Sequence, residues 1–307
     1  VRSHMAIAKG VVLGHRVQAG YVSEPVLAGG SKLLSTTLGG FGCSSMTKKL
    51  ATCFSASPIS AGDVGEIAAI VVLLKAMDMC CEQSNSEEVL LPACSLITFL
   101  DTLLGKQIWQ GKIKKELNNV EGFKQDEFLA ALASQSVSFN HFFRIEMGEG
   151  MDWPATLAAA YRRCGALICQ QGYRALDLVI PTSRTFSEEV FWYSGLLIQV
   201  RNTKEPFAQI SKQEHACVFP FHQSGVVPGL YLGLRMVKGV KKAGRAGLIV
   251  KSAQGAKRLG NTNHARPRVP ANRRLVGYVA SSLLDLACLS DEEVDAMEEL
   301  CALHRTR

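Results

Sequence analysis

The stretch "LDLVIPTSRTFSEEVFWYSGLLIQVRN" covers residues 176–202 and holds two apolar runs on either side of a polar turn. Short β-branched and aliphatic runs separated by a polar turn are typical of two neighbouring strands. Asp177 stands at the start of the first run, and Gln199 and Arg201 stand near the end of the second. Because residues i and i+2 of a strand share a face, we expect Gln199 and Arg201 on one face, with Asp177 on the adjacent strand.

Polar groups at the edge of two such strands are typical of metal-dependent nucleases. Mg²⁺ prefers oxygen ligands, usually one or two carboxylates together with water and phosphate oxygens. A bound metal makes a water molecule more acidic, and a nearby lysine offsets charge that develops on the phosphate. Such nucleases usually end the second strand with an acid, any residue and a lysine, whereas this chain has Gln199 and Arg201. Glu66, near the start of an apolar helical stretch, is a candidate third oxygen ligand.

The spacing of apolar residues predicts helices first and strands later along the chain. The strongest helix prediction is 61–83, whose apolar residues cover nearly the whole circumference and indicate a buried helix with Glu66 in its first turn. Further helices are predicted at 23–38, 96–109, 125–134, 152–165 (with Gly165 at its exit) and 290–304 (with a capping box of Ser290 and Glu293). Strands are predicted at 136–146, 166–170, 175–182, 194–202, 229–237, 246–252 and 273–280. This order favours an α+β fold with an α/β core, in which helices flank a mixed central sheet.

The change from helices to strands suggests two parts of the chain. Residues 5–135 are predicted to form an N-terminal helical region, and residues 136–307 an α/β core with a basic C-terminal block. The glycine-rich stretch 38–49 lacks the Gly-Lys-Ser/Thr ending of a phosphate loop and is predicted to be a loop. The Gly/Asn/Pro-rich stretch 239–272 is predicted to be disordered, and the opening "VRSHM" is expected to be a remnant of an expression vector.

The net charge of +7 is concentrated in the C-terminal block. No aspartate or glutamate occurs between His215 and Leu284, whereas twelve basic residues do. Such a block is typical of a surface that binds a phosphate backbone. The candidate contacts are Lys238, Lys241, Lys242, Arg245, Lys257 and Arg258. A solvated basic loop without a ligand explains the same composition, and the sequence leaves both explanations open.

The ten cysteines are scattered and include no Cys-x-x-Cys pair, which argues against a zinc ribbon. Many lie in apolar segments and are interpreted as reduced, buried thiols, so we expect an intracellular, reducing location, with the nucleus as a candidate. The best apolar run, 67–74, is too short to span a membrane. His215, Cys217 and His222 fit no common zinc pattern, and His141 is expected to be a partly buried strand residue.

Five stretches carry a family resemblance: "YVSEPVLA" (21–28), "AGDVGEIAAIVVLLKAMD" (61–78), "SFNHFFRI" (138–145), "GALICQQGYRALDLVIP" (165–181) and "LLIQVRN" (196–202). Their order and spacing resemble the PD-(D/E)XK restriction-endonuclease-like superfamily, and most closely a set of uncharacterised fungal proteins associated with Crinkler-type effectors and mobile elements. The resemblance implies a restriction-endonuclease-like fold with Glu66 and Asp177 as acidic site residues. It also implies that Gln199 takes the place of the second acid and Arg201 the place of the lysine. The implied cofactor is Mg²⁺ or Mn²⁺, and the implied partner is nucleic acid, DNA rather than RNA.

The departures from the family pattern bear on catalysis. In the resembling proteins the second strand usually reads Gln-Val-Lys-Asn, so Gln199 is usual there and Arg201 is the exception. Glutamine offers an oxygen without negative charge, which weakens affinity for Mg²⁺. Arginine stays protonated and cannot act as a base, but it can hold a phosphate through two hydrogen bonds.

Three functions therefore stay open. The first is a nucleic-acid-binding protein with a variant, impaired metal-dependent nuclease site. The second is a catalytically inactive relative, a pseudoenzyme that binds nucleic acid or a host or partner protein as an effector, including inside a host nucleus. The third is a fold that serves only as a scaffold for protein interaction. The two acids also have an ordinary explanation, because Asp177 fits a strand end and Glu66 fits a helix N-terminus.

Overall fold

The computed structural model describes residues 6–12, 16–21, 43–55, 59–83, 93–107, 109–111, 125–145, 151–170, 176–187, 190–203, 229–237 and 276–302. Within these ranges the fold is α+β. The helices are α1 (Cys43–Ser55), α2 (Ala61–Gln83), α3 (Leu96–Leu104), α4 (Gln125–Ala133), α5 (Trp153–Arg162) and α6 (Asp291–Ala302). The strands are β1 (Ala6–Val12), β2 (Arg16–Tyr21), β3 (Cys94–Ser95), β4 (Ser136–Val137), β5 (His141–Arg144), β6 (Gly165–Ile168), β7 (Leu178–Ser187), β8 (Val190–Arg201), β9 (Gly229–Arg235) and β10 (Val276–Ser282).

The main sheet is mixed and is built around the antiparallel pair β7 and β8. On the β8 side, β9 and β10 follow as parallel neighbours. On the other side, the beginning of β7 pairs with β6 and its middle pairs with β4. Strand β5 extends β6 in parallel, and β3 extends β4 in the antiparallel direction. Strands β1 and β2 form a separate antiparallel pair for which the apolar pattern gave no prediction.

Apolar side chains cover both faces of the sheet, as expected for strands that lie between helices. On one face, Leu196, Ile198 and Val200 of β8 join a core with apolar residues of α2, α3 and α6. On the other face, Leu197 of β8 and Tyr231 of β9 pack with apolar residues of α5. The alternation along β8 places Gln199 and Arg201 on the α5 face.

The helix predictions were most accurate where a long apolar stretch or a capping motif marks the helix. The 61–83 prediction is confirmed, and α2 buries residues around most of its circumference. The capping box at α6 is confirmed, because Ser290 N–H donates to Glu293 Oε2 at 2.8 Å. The 125–134 prediction agrees with α4 to within one residue. Helix α3, in contrast, ends at Leu104 instead of residue 109, because Gly105 adopts a φ of 77° and its N–H closes on Asp101 O.

Three further predictions were wrong in detail. Residues from Cys43 onward form α1, although 38–49 was predicted to be a loop from its glycines. The turn between the first two strands is much shorter than predicted, since β7 runs on to Ser187 and β8 begins at Val190. Helix α5 ends before Cys164, which has a φ of 49°, so Gly165 is the first residue of β6 and not the helix exit.

The predicted strand 136–146 is divided between two partners. Its first part, β4, pairs with β7, and its second part, β5, pairs with β6. Residues 138–140 connect the two parts, and Asn140 N–H donates to Cys164 O at 2.9 Å. His141 lies partly buried in β5, as predicted. The predicted helix 23–38 and the predicted strand 246–252 lie outside the described residues.

Candidate functional site

The carboxyl ends of five strands meet at one end of the main sheet. Strands β8, β9 and β10 run parallel to one another, and β7 runs antiparallel to β8. Because β6 is antiparallel to β7 and β5 is parallel to β6, both also finish at this end, where β7 begins. Polar residues at these strand ends are therefore close in space despite their distance in sequence.

Asp177 stands immediately before β7 and is tied to both neighbouring strands. Its N–H donates to Ile198 O at 3.0 Å, and its carbonyl accepts from Cys169 N–H at 2.8 Å. Its Oδ2 atom accepts the N–H of Val200 at 2.6 Å. Burial raises the pKa of Asp177, and the Val200 N–H and the positive charge of Arg201 oppose that rise. The side chain is thus held at the end of the sheet with one oxygen engaged by the backbone.

Glu66 reaches the same end of the sheet from α2. Asn202, which follows β8, donates from Nδ2 to Ala61 O at 3.0 Å and to Cys301 O at 3.1 Å. The close approach of α2 to the end of β8 also depends on Gly65, where an added Cβ atom would lie 2.9 Å from Asn202 Cβ. The pKa of Glu66 is raised to about 7. Burial is the main cause, the charges of Asp177 and Asp63 add to the rise, and the charge of Arg144 opposes it. Asp177 is therefore close enough to Glu66 for its charge to disfavour the ionisation of Glu66.

The ordinary helix-terminus explanation fits Asp63 better than Glu66. Helix α2 begins at Ala61, so Glu66 lies in the second turn and not in the first, as the sequence had suggested. Ser60 Oγ accepts the N–H of Asp63 at 3.1 Å and donates to Asp63 Oδ2 at 2.7 Å. The cap of α2 is thus provided by Ser60 and Asp63, and Glu66 has no capping role.

Gln199 and Arg201 share the α5 face of β8, as the spacing predicted. Asp177 lies opposite Gln199 when the β7–β8 register is continued by one residue. Gln199 is only 2% exposed, and its Oε1 accepts the hydroxyl of Tyr231 at 3.0 Å. Arg201 is half-buried, and within the described part of the chain its buried Nε atom has no hydrogen-bond partner.

The four predicted site residues are linked through Asp177. Electrostatic effects join Glu66 to Asp177 and Asp177 to Arg201, and Gln199 is the neighbour of Asp177 across the strands. Helix α2 lies on the opposite face of the sheet from Gln199 and Arg201. The groups therefore surround the end of the sheet and do not form a single-face cluster.

The residues present suit a hard divalent cation in part. Two carboxylates and one amide oxygen are available, and Mg²⁺ is commonly held by one or two carboxylates with water and phosphate oxygens completing its shell. Two acids with raised pKa values would be stabilised in their charged forms by a nearby cation. Among the described residues no cluster of three or more His, Cys, Asp or Glu side chains is arranged to hold a metal ion, so Gln199 and substrate oxygens would have to complete the set.

Sequence reasoning missed four residues around this site: Cys169, Asn202, Tyr231 and Arg235. Asn202 was quoted at the end of β8, but its two bonds to backbone carbonyls depend on helices far along the chain. Cys169 is buried at the end of β6, and burial followed by the charges of Asp177 and Glu66 raises its pKa to about 12. The cysteine is therefore a neutral thiol at physiological pH.

Glu66 makes the stability of the protein depend on pH. Between pH 4.5 and about 7 the folded protein retains a proton on Glu66 that the unfolded chain has released, so the free energy of unfolding falls as pH rises through this window. Because Glu66 is only half-buried and solvent screens its charge, we expect the free energy of unfolding to fall by about 1 kcal/mol across this window. In Glu66→Gln this part of the loss should be absent, as measured by urea unfolding at pH 4.5, 6 and 7.5. Glu299→Gln, an exposed acid on α6, is the control and should keep the wild-type slope. A wild-type slope in Glu66→Gln would contradict the placement of Glu66.

The predicted nucleic-acid contacts of the basic block lie outside the described residues. They are Lys238, Lys241, Lys242, Arg245, Lys257 and Arg258. The same holds for His215, Cys217 and His222. Arg235 is the first basic residue of the block and is described at the end of β9.

In the described ranges no helix has both the length and the apolar character needed to cross a membrane. No protein-family model matches the chain, and searches of curated proteins and of solved structures found no match either.

Proposed function

We propose that this protein binds nucleic acid and carries a variant metal-dependent nuclease site of the PD-(D/E)XK type, with cleavage impaired. The observation that supports the proposal most is the joint position of Glu66, Asp177, Gln199 and Arg201 at one end of the mixed sheet. The raised pKa of Glu66 adds support: burial is its main cause, and the charge of the nearby Asp177 adds to it. The cap of α2 is formed by Ser60 and Asp63, so it does not require Glu66. Acids with strongly shifted pKa values are enriched at functional sites.

Each residue has a distinct role in this proposal. Glu66 and Asp177 would hold Mg²⁺ or Mn²⁺, with the Gln199 amide oxygen as a neutral third donor. The metal would supply a more acidic water and positive charge beside the phosphate. Arg201 would hold a phosphate oxygen, since its guanidinium forms planar paired hydrogen bonds. It cannot take a proton from water, and Gln199 brings no negative charge, so we expect slow cleavage.

Arg201→Lys tests whether the variant position limits catalysis. Lysine restores the residue usual at this position and places a smaller ammonium next to Asp177. We expect Arg201→Lys to cleave plasmid or single-stranded DNA at least about tenfold faster than the wild type in Mg²⁺ or Mn²⁺. No cleavage by either protein under any metal condition would reject the nuclease part of the proposal. Salt-sensitive DNA binding in the same samples would then leave a catalytically inactive binding protein.

Nucleic-acid binding needs its own test, because the basic block is assigned from sequence. We expect the Lys241→Gln/Lys242→Gln double variant to bind a labelled DNA duplex more weakly and with a smaller dependence on salt, by about one unit of slope per lost contact. Lys48→Gln, an exposed lysine on α1 that pairs with Glu292, is the control. Unchanged affinity and salt dependence in the double variant would favour a scaffold for protein interaction.

A further inference from the structure

Two arginines lie at the C-terminal end of α5, and each is placed over an aromatic ring of the sheet. The guanidinium carbon of Arg162 is 5.8 Å from the centre of the Tyr193 ring, and that of Arg163 is 5.4 Å from the centre of the Phe143 ring. Both distances are within the range of a cation–π contact. Both arginines are exposed, whereas the two rings are half-buried. These four residues and the neighbouring Tyr161 form what we call the arginine–aromatic surface.

Hydroxyl groups anchor the Tyr193 side of this surface to the sheet. The Tyr161 ring lies 5.8 Å from the Tyr193 ring, centre to centre. The Tyr161 hydroxyl shares a hydrogen bond of 2.7 Å with Ser136 Oγ, and Ser136 Oγ shares another of 2.9 Å with Ser183 Oγ. Ser183 is the register partner of Tyr193 in the β7–β8 pair. Little side-chain freedom of the rings is therefore left to lose when a ligand binds.

The elements that form the arginine–aromatic surface carry positive charge only. No Asp or Glu occurs in β5, α5, β7 or β8, whereas each of these four elements contains an arginine. Such a charge distribution attracts anionic ligands. The two rings belong to β5 and β8, which are three strand spacings apart in the sheet, or roughly 14 Å. A ligand that contacts both arginine–aromatic pairs is therefore an extended polyanion and not a single small anion.

We propose that the arginine–aromatic surface binds single-stranded nucleic acid, with unpaired bases stacked on the two arginine–aromatic pairs and the phosphate backbone attracted by the arginine charges. Bases stack on aromatic rings and on guanidinium planes, and they are available for such stacking when they are not paired in a duplex. An acidic peptide fits less well, because its carboxylates are repelled by the negative faces of the rings. This inference deepens the proposed function by naming the form of the nucleic acid, and it rests on that function only for nucleic acid as the partner.

The test measures binding in EDTA, so that cleavage does not enter. The probes are fluorescein-labelled oligonucleotides followed by anisotropy: a thymidine single strand, and an abasic strand of equal length and charge. We expect Arg162→Lys, which keeps the charge but loses the guanidinium plane, to weaken binding of the thymidine strand by at least about fivefold. Tyr193→Leu should have a similar effect. Neither change should alter binding of the abasic strand by more than about twofold. Lys106→Gln, which removes an exposed positive charge elsewhere, is the control and should bind the thymidine strand as the wild type does.

The outcomes separate this surface from the nuclease site and from the basic block. Wild-type affinity for the thymidine strand in Arg162→Lys would overturn the inference, even if Lys241→Gln/Lys242→Gln weakened duplex binding and so upheld the basic block. Weaker binding of the thymidine strand in Arg162→Lys would uphold the surface even if no sample cleaved DNA. Equal losses for the thymidine and abasic strands would overturn base stacking as the mode of binding. Binding of polyglutamate but of neither strand by the wild type would overturn the inference in favour of an acidic protein partner. If Tyr193→Leu does not fold, the exposed Arg162 decides alone.

Discussion

Asp177→Asn is expected to lower metal-dependent cleavage of DNA by about 100-fold or more while the protein stays folded. The carboxyl oxygen that accepts the Val200 N–H would be replaced by an amide oxygen in the same position. The hydrogen bond between residue 177 and Val200 of β8 is therefore kept. What is lost is the negative charge that would hold the divalent cation. The raised pKa shows that this charge is kept at a cost, so Asp177→Asn should be as stable as the wild type or more so. The rate would be measured with and without Arg201→Lys, and thermal unfolding would be measured on the same samples.

Asp177→Ala and Asp126→Asn complete the comparison. The alanine variant also removes the acceptor of the Val200 N–H and should lose about 1 to 3 kcal/mol of unfolding free energy. Asp126 is exposed on α4, so its change to asparagine controls for the loss of one charge and should leave cleavage unaltered. Equal rates in Asp177→Asn and the wild type would remove Asp177 from the reaction.

Asn202→Ala is expected to lower the free energy of unfolding by about 2 to 4 kcal/mol. Asn202 is 6% exposed, and its amide connects the end of β8 to the start of α2 and to the end of α6. Alanine would leave the Ala61 and Cys301 carbonyls without this donor, whereas the Cβ atom that lies against Gly65 would remain. The same change should weaken the coupling between the two acids, because it loosens the helix that carries Glu66.

Urea unfolding at pH 7.5 would measure this loss, with Thr203→Ala as the control. Thr203 is the next residue, and its side chain is exposed, so the control should change stability by less than about 0.5 kcal/mol. A comparably small change in Asn202→Ala would mean that α2 is held in place by its apolar contacts alone. Retention of the pH-dependent stability loss in Asn202→Ala would show that Glu66 does not depend on Asn202.

The elements with local signals were predictable from sequence. A long apolar stretch predicts helix α2, and the capping box of Ser290 and Glu293 predicts the start of α6. The faces of β8 follow from the strand period of two, which correctly grouped Gln199 with Arg201. Asp177 could be placed near them because a polar turn joins consecutive strands and brings them side by side.

The parts that depended on distant pairing were not predictable. Arg235 becomes a neighbour of Arg201 only through the parallel pairing of β8 and β9, and no local pattern encodes that register. Asn202 acquires its role from two helices that lie 141 and 99 residues away. Helix α1 was missed because the glycines that precede Cys43 suggested a loop. Glu66 lies close to Asp177, as expected, but it is in the second turn of α2 and not in the first.

Mn²⁺ binding followed by electron paramagnetic resonance tests the central claim most directly, because it reports on the acid pair without any requirement for cleavage. The site requires Glu66 and Asp177 to hold the ion together, so the wild type should bind one Mn²⁺ per chain. The Glu66→Gln/Asp177→Asn double variant should bind none at that site. The Asp126→Asn/Glu299→Gln double variant, which removes two exposed acids, should bind as the wild type does. Equal binding in the Glu66→Gln/Asp177→Asn variant and the wild type, or no binding by the wild type, would contradict a metal site at this end of the sheet.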